Sequence, residues 1–502
     1  MDEASRARIR VFLNDPAARG QHPVPSDPPL ETERRPWGFR VEGKAVPPRS
    51  YEPDTPEFLY WQIASALARG RALWSRLLPG AGTWVRGAVL PAVPVEGEDL
   101  NAFYDRKALH FFRDVNAKTG EIVQSGDSPD VVTHEQGHAV LDSIRPDLWD
   151  APHFEVAAFH EGFGDLAAIL VALDETELAS AALEETKGSL DHSNLVSRLA
   201  EELAAAVIAK YGPDAALPDA LRDAVNSFSY IAPKSLPDEG PADALSREPH
   251  SFSRVVTGAC WDVLVRLSLA GNGSDRLAAL QKASQEVGRL VAAAAESTAP
   301  AASFFRRFAT ELQRAASGDD ATRKAVTEAL ITRELISARD VGERGARPEV
   351  RAATGFEPEP LTTRVLDSIR ERLGALRDEE ILVRASRRDG SLSGRRIRYL
   401  VLSGPEYGPA DGAAVEISDS FTVAVEESGY VTAARVESAG PEEEEDAREF
   451  VRTLARLDRI SADDDAPSSS ARLYKEGKSH FVSLERDGAR RLRRAWVARG
   501  GR

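Results

Sequence analysis

The feature that most constrains this chain is the pentapeptide His134-Glu135-Gln136-Gly137-His138. An α-helix turns once every 3.6 residues, so positions i and i+4 share a face. Two imidazoles on one face can close on a single metal ion, with zinc–nitrogen distances of about 2.0–2.1 Å. Glu135 lies beside the first histidine, where it can take a proton from a water held at the metal. Ser128-Pro129 ahead of the motif predicts the helix start, an N-cap followed by proline at the first helical position.

A catalytic zinc ion usually has a third protein ligand. A histidine six residues after the motif is one known solution, but that residue is Ile144. A glutamate on a following helix is another, and Phe159-His160-Glu161-Gly162-Phe163-Gly164-Asp165 supplies it. Glu161 and Asp165 are four apart and share a helix face. Glu161 is therefore the expected ligand, and Asp165 the group that accepts the second N–H of a ligating imidazole. His160 is the rival ligand, turned about 100° away from Glu161 around the helix.

The rest of the composition narrows the function classes. The 502 residues are 42% hydrophobic and 29% charged, the balance of an ordinary globular protein with enough chain for a sizeable core. A formal net charge of -16 argues against a nucleic-acid binder. The single cysteine, Cys260, excludes an intrachain disulfide and sits in an apolar helical pattern as a small core residue. The first residues lack the basic start and apolar stretch of a secretory signal, and no unbroken apolar run has the length of a membrane span. A soluble, cytoplasmic protein is the expectation.

Residues 1–50 are rich in proline and charge and are read as an extended arm. Helical spacing follows over 55–78 and strands over 83–114. From 128 to 345 the pattern is mostly helical, with helices near 155–173, 195–210, 253–270, 274–297 and 301–316 and a loop-rich stretch at 226–252. After about 355 the character changes. A helix near 361–379 leads to strands at 397–402 and 421–436, with hairpin turns at Ser428-Gly429 and Asp487-Gly488. The acidic run Glu442–Asp446 suits a helix N-terminus.

With these residues in place, the chain resembles the thermolysin-like zinc metallopeptidases. The resemblance covers roughly residues 55–320. It rests on His-Glu-Gln-Gly-His followed by a helix with Glu161 and Asp165, with a gap between them a few residues longer than in the family. The extra residues fall around Arg145 to His153. Leu100-Asn101-Ala102-Phe103-Tyr104 is similar to the family's edge strand, which implies that Asn101 and Ala102 hold the substrate backbone; unpaired edge groups suit an extended peptide. The resemblance further implies that Arg222 binds a substrate carbonyl and that His250 stabilises the tetrahedral intermediate. Trp149 stands where the family has a tyrosine donor near the oxyanion. The carboxylate partner of the late histidine is not at its usual offset, which is Leu245, and Glu248 or Asp243 is the substitute. The match to the family's calcium ligands is partial, with Asp130 present and Ala172 at the next position, which does not establish Ca2+ as a second cofactor.

The implied fold is α+β. A two-lobed peptidase unit spans 51–345, with a mixed N-terminal lobe and a helical second lobe, and a small α+β domain of unassigned role spans 355–502. The implied protein binds one Zn2+ per chain through His134, His138 and Glu161, and hydrolyses peptide bonds in a peptide or protein substrate. Endopeptidase action is favoured over exopeptidase action, because no carboxylate cluster for a free amine is visible. The alternatives are a catalytically inactive scaffold on the same fold and an aminopeptidase-type zinc hydrolase. Substrate sequence and oligomeric state are not written in these residues.

Overall fold

The computed structural model describes residues 8–29, 31–270, 275–337, 363–373, 380–384, 391–425, 431–461, 470–485 and 488–498. The chain opens with a short antiparallel pair, β1 (Ile9–Val11) and β2 (Val24–Ser26), followed by β3 (Gly38–Val41) and the helix α1 (Pro56–Leu77). The proline-rich segment expected as an arm is extended, but it is packed into the body. Ile9, Val11 and Trp37 are fully buried and Phe39 nearly so. Gln62 on α1 accepts from Phe12 N–H and donates to Phe12 C=O, at 2.8 and 3.2 Å. Proline run and apolar alternation coexist here, and burial of the apolar residues decides the outcome.

Next come β4 (Val89–Val93), β5 (Ala102–Tyr104) and β6 (Leu109–Phe111), then a hairpin of β7 (Arg113–Val115) and β8 (Ile122–Gln124). β3, β4 and β6 run parallel, and β5 runs antiparallel to β6. The helix α2 (Pro129–Ile144) carries the motif and packs on α1, on β5 and on the helix α3 (Phe154–Asp174). Then come α4 (Thr176–Glu185), β9 (Arg198–Leu199), α5 (Glu201–Tyr211), β10 (Arg222–Asp223), α6 (Pro249–Ala270), α7 (Arg276–Ser297), α8 (Phe304–Ala315) and α9 (Asp320–Thr332).

α3 has the length and mean hydropathy of a membrane span, yet all of that stretch is buried inside the protein, against α2, α6, α7 and α8. A helix apolar all round is a core helix when other helices cover it. The helix expected from 195 starts instead at Glu201. The Asn194 side chain accepts from the N–H groups of Val196 and Ser197, at 3.0 and 3.2 Å. That local turn competes with helix formation. α6 starts earlier than expected, at Pro249, because the Glu248 carboxylate accepts from Ser251 N–H at 2.8 Å.

The C-terminal segment contains α10 (Thr363–Leu373), β11 (Glu380–Arg384), β12 (Ser391–Val401), β13 (Ala414–Val425), β14 (Val431–Glu437), α11 (Pro441–Arg456), β15 (Ile460–Ser461), α12 (Ser470–Lys475), β16 (His480–Leu484), β17 (Arg490–Arg494) and β18 (Val497–Ala498). Seven of these strands form one sheet in the order β11-β12-β13-β17-β16-β15, with β14 also on β13. The acidic run opens α11, where the Glu443 carboxylate accepts from Gly440 N–H at 3.0 Å. The turn at Ser428-Gly429, residue Asp487 and the expected boundary at 345–355 lie outside the described residues. The whole is α+β, a mixed sheet with α1, then a helical layer, then a second sheet. β18 leaves its own sheet and joins the first one, giving the order β18-β5-β6-β4-β3.

Candidate metal centre

α2 and α3 approach closely because glycines face each other where they cross. A Cβ on Gly137 would lie 2.6 Å from the Ala167 methyl, and one on Gly164 would lie 2.7 Å from the His134 ring. Neither site has room for a side chain. The close approach sets Glu161 of α3 opposite both histidines of α2. Glu161 Oε2 lies 3.4 Å from His134 Nε2 and 3.8 Å from His138 Nε2. One ligand atom from each of the three residues falls within 4.8 Å of the others. His160 is not part of this group. Its ring centroid is 6.0 Å from that of His138, and burial pushes its pKa down to about 3.

The three groups are buried, and the Nε2 atoms of His134 and His138 have no hydrogen-bond partner among the described residues. A buried polar atom left without a partner costs about 1–3 kcal/mol. Two imidazole nitrogens and a carboxylate oxygen aimed at one point fit a divalent cation, which would remove that cost. Burial drives the His138 pKa well below its ordinary value, favouring the neutral imidazole that ligation needs. Burial alone would raise Glu161, but the charges of His250 and His138 hold it well below the carboxylate range.

Behind the candidate ligands stands an ordered layer. His134 Nδ1 bonds Asp165 Oδ1 at 3.0 Å. Arg222 in turn donates twice to Asp165, at 2.7 and 2.8 Å. Burial opposes ionisation of Asp165, but Arg222 and His134 outweigh it and keep the carboxylate charged. The chain Arg222–Asp165–His134 fixes the imidazole tautomer so that Nε2 points at the candidate metal position. Arg222 is buried, and the bonds of its Nε and Nη2 go to Asp165.

His250, at the start of α6, lies on the far side of Glu161, with Nε2 3.2 Å from Oε2. Its Nδ1 bonds Glu248 Oε1 at 2.5 Å, so Glu248, and not Asp243, is its carboxylate partner. Burial works against protonation of His250, but Glu161 and Glu248 raise its pKa well above the ordinary value. Glu135 is fully buried on α2 between the two histidines. Asn101 precedes β5, and its Oδ1 accepts from Ala102 N–H at 2.8 Å. Trp149 is buried, and its only N–H donates to the Arg494 carbonyl at 3.1 Å. In this arrangement that donor is taken and does not face an oxyanion.

Three residues near the site have no counterpart in the sequence reading: Tyr474, Arg494 and Trp496. Tyr474 stacks on Phe103 and Phe112, with centroids 4.7 and 5.0 Å away, and donates to Asp99 Oδ2 at 2.5 Å. They lie more than three hundred positions from the motif, and no short-range spacing marks them.

A second acidic group, Asp15, Asp130 and Glu201, also brings ligand atoms within 4.8 Å of one another. It includes Asp130 but not Ala172. Nearby Asp127 is 5% exposed, and burial raises its pKa to about 7. Burial and the charges of Asp15 and Asp130 raise Glu201 as well. A carboxyl group whose folded pKa is raised stabilises the fold below its unfolded value, near 3.9, and that contribution is lost as pH rises through the folded value. In metal-free buffer, the contribution of Asp127 to the melting temperature should therefore fall between pH 5 and pH 8. Asp127→Asn should flatten this slope, as measured by differential scanning calorimetry at a series of pH values. An unchanged slope in the variant would assign the effect to other groups.

No family model and no curated protein matches the chain. Among solved structures it is similar to the precursor of protealysin, a metalloproteinase from Serratia proteamaculans, at 14% identity and a TM-score of 0.35. The match covers 66% of this chain and 88% of that one. At that TM-score the likeness carries no chemistry across, and the site stands on its own residues.

Proposed function

We propose that this protein is a zinc-dependent metallopeptidase that cleaves internal peptide bonds. One observation carries the reading. His134, His138 and Glu161 converge on one buried point, with Glu135 on the same helix turn and a carboxylate fixing the first imidazole. Two imidazoles and one carboxylate are the usual protein ligands of a catalytic zinc, which leave a coordination position open. When bound, zinc polarises a peptide carbonyl and lowers the pKa of a water toward about 7.

The protein's own groups do the rest. Glu135 takes a proton from the attacking water and passes it to the leaving amine. Asp165 and Arg222 hold His134 in one tautomer. His250, held through Nδ1 by the Glu248 carboxylate, donates from Nε2 to the oxyanion as it forms. β5 offers backbone N–H and C=O groups to an extended substrate. A metal set with no proton acceptor beside it would favour a structural site, and Glu135 argues against that.

The test is metal analysis with a protease assay. Protein expressed with zinc should hold about one zinc per chain, and its cleavage of blocked internal peptides should stop on removal of metal by 1,10-phenanthroline and return on adding zinc. A zinc-free protein, or cleavage indifferent to the chelator, would sink the proposal.

A further inference from the structure

β5 would be the edge of its sheet but for one neighbour. That neighbour is β18, from the far end of the chain, and it pairs antiparallel with Val497 opposite Tyr104 and Ala498 opposite Phe103. An extended segment hydrogen-bonded along β5 is what the proposed function asks of a substrate. We infer that residues 470–485 and 488–498 act as an inhibitor in cis, covering the β5 edge that a substrate would pair with until they are displaced. This inference rests on the peptidase reading of the site.

The segment meets β5 and its surroundings at several independent points. Trp496 and Tyr474 pack with Phe103, at centroid distances of 6.2 and 4.7 Å, and with each other at 5.2 Å. Tyr474 bonds Asp99, which lies two residues before Asn101. Arg494 is buried, and its carbonyl takes the Trp149 donor. Of the four residues expected to bind substrate, Trp149 is engaged by this segment and Arg222 by Asp165, while the ladder itself lies on Phe103 and Tyr104, next to Ala102.

The loop 145–153 is the platform that holds the segment. Asp150 accepts from Arg494 N–H at 2.8 Å and pairs with Arg493 at 3.2 Å. The same loop also anchors the C-terminal elements outside the segment, through Asp147 with Arg395 on β12 and His153 Nδ1 with Asp446 on α11 at 2.8 Å. A two-residue ladder is weak alone, but a tethered strand competes at an effective concentration in the millimolar range. Free substrate below that concentration is largely excluded. The aromatic cluster and the platform are the parts that set the balance.

The test uses the full-length, zinc-loaded chain and two variants, Trp496→Ala and Val497→Pro. The first removes the ring packed against Phe103. The second removes the strand N–H and disfavours pairing; if it does not fold, Trp496→Ala decides alone. Two quantities are measured: kcat/KM on a short blocked, internally quenched peptide, and the affinity of a dipeptide hydroxamate. Both should rise by about tenfold or more in each variant, with the zinc content unchanged. Hydroxamate affinity equal in all three proteins would overturn the inference, whatever the cleavage rates. Higher affinity in the variants with no cleavage in any protein would support the closed edge and overturn the peptidase reading instead.

Discussion

Glu135→Gln should leave zinc at about one per chain and the melting temperature near that of the wild type, while cleavage of casein falls by about 10²–10⁴-fold or more. The side chain is fully buried on α2, one residue from His134 and three from His138. Gln has nearly the same size and still accepts a hydrogen bond, but it cannot take up a proton at neutral pH. The proposed ligands are His134, His138 and Glu161, so the substitution leaves that donor set whole. A scaffold on the same fold gives no cleavage in either protein. A structural metal gives no difference between them. Elemental analysis and a casein digest on the same two preparations separate these readings, and a variant that cleaves at the wild-type rate removes Glu135 from the mechanism. If the tail closes the cleft, the comparison is best made in the Trp496→Ala background, where the rates are larger.

The convergence of the metal-binding groups is legible in the sequence because it is written in short spacings. Histidines four apart on one helix, and a glutamate and aspartate four apart on the next, each define a face. The remaining step, that the two faces meet, is marked by Gly137 and Gly164, whose missing side chains let the helices approach. The partner of His250 is two residues away, and the reading had already narrowed it to Glu248 or Asp243. Long-range pairings leave no such trace. β18 has two residues and therefore no periodicity to read, and Trp149 and Arg494, which share a hydrogen bond, are 345 positions apart. The N-terminal fifty residues show a different limit. Their prolines mark extended backbone correctly but hide the alternation at Ile9 and Val11 and at Trp37, Phe39 and Val41 that packs the segment onto the body. The loop at 145–153 reads as surplus length in the sequence. In the structure it is where the body that carries the candidate metal centre and the C-terminal segment are joined by charge.

That junction should carry the largest stability effect outside the core. Asp147→Asn should cost about 3–5 kcal/mol, the usual result of removing one partner from a buried ion pair. The Asp147 side chain is 5% exposed and lies between two guanidinium groups that are as buried as it is, Arg145 at 1% and Arg395 at 8%. Burial by itself would push its pKa up, yet the two arginines outweigh it and hold the carboxylate well below its ordinary range. A carboxylate depressed in the fold gives its full stabilisation above its unfolded pKa and loses it only as pH falls through the folded value. The interaction is therefore complete at pH 7, and an asparagine there leaves two buried cations without their counter-charge. Arg145 keeps its contact with the Ala295 carbonyl, so the larger share of the penalty should fall on Arg395 and on the sheet it belongs to. Urea denaturation of wild type, Asp147→Asn, Arg395→Met and the double variant gives the coupling directly. Arg395→Met should cost less than Asp147→Asn, because the pair with Arg145 survives. The double variant should recover part of the loss, since one of the stranded cations is gone. A change under about 0.5 kcal/mol for Asp147→Asn, the range of ordinary surface substitutions, would show that the triad is open to water and that the loop does not anchor the C-terminal segment.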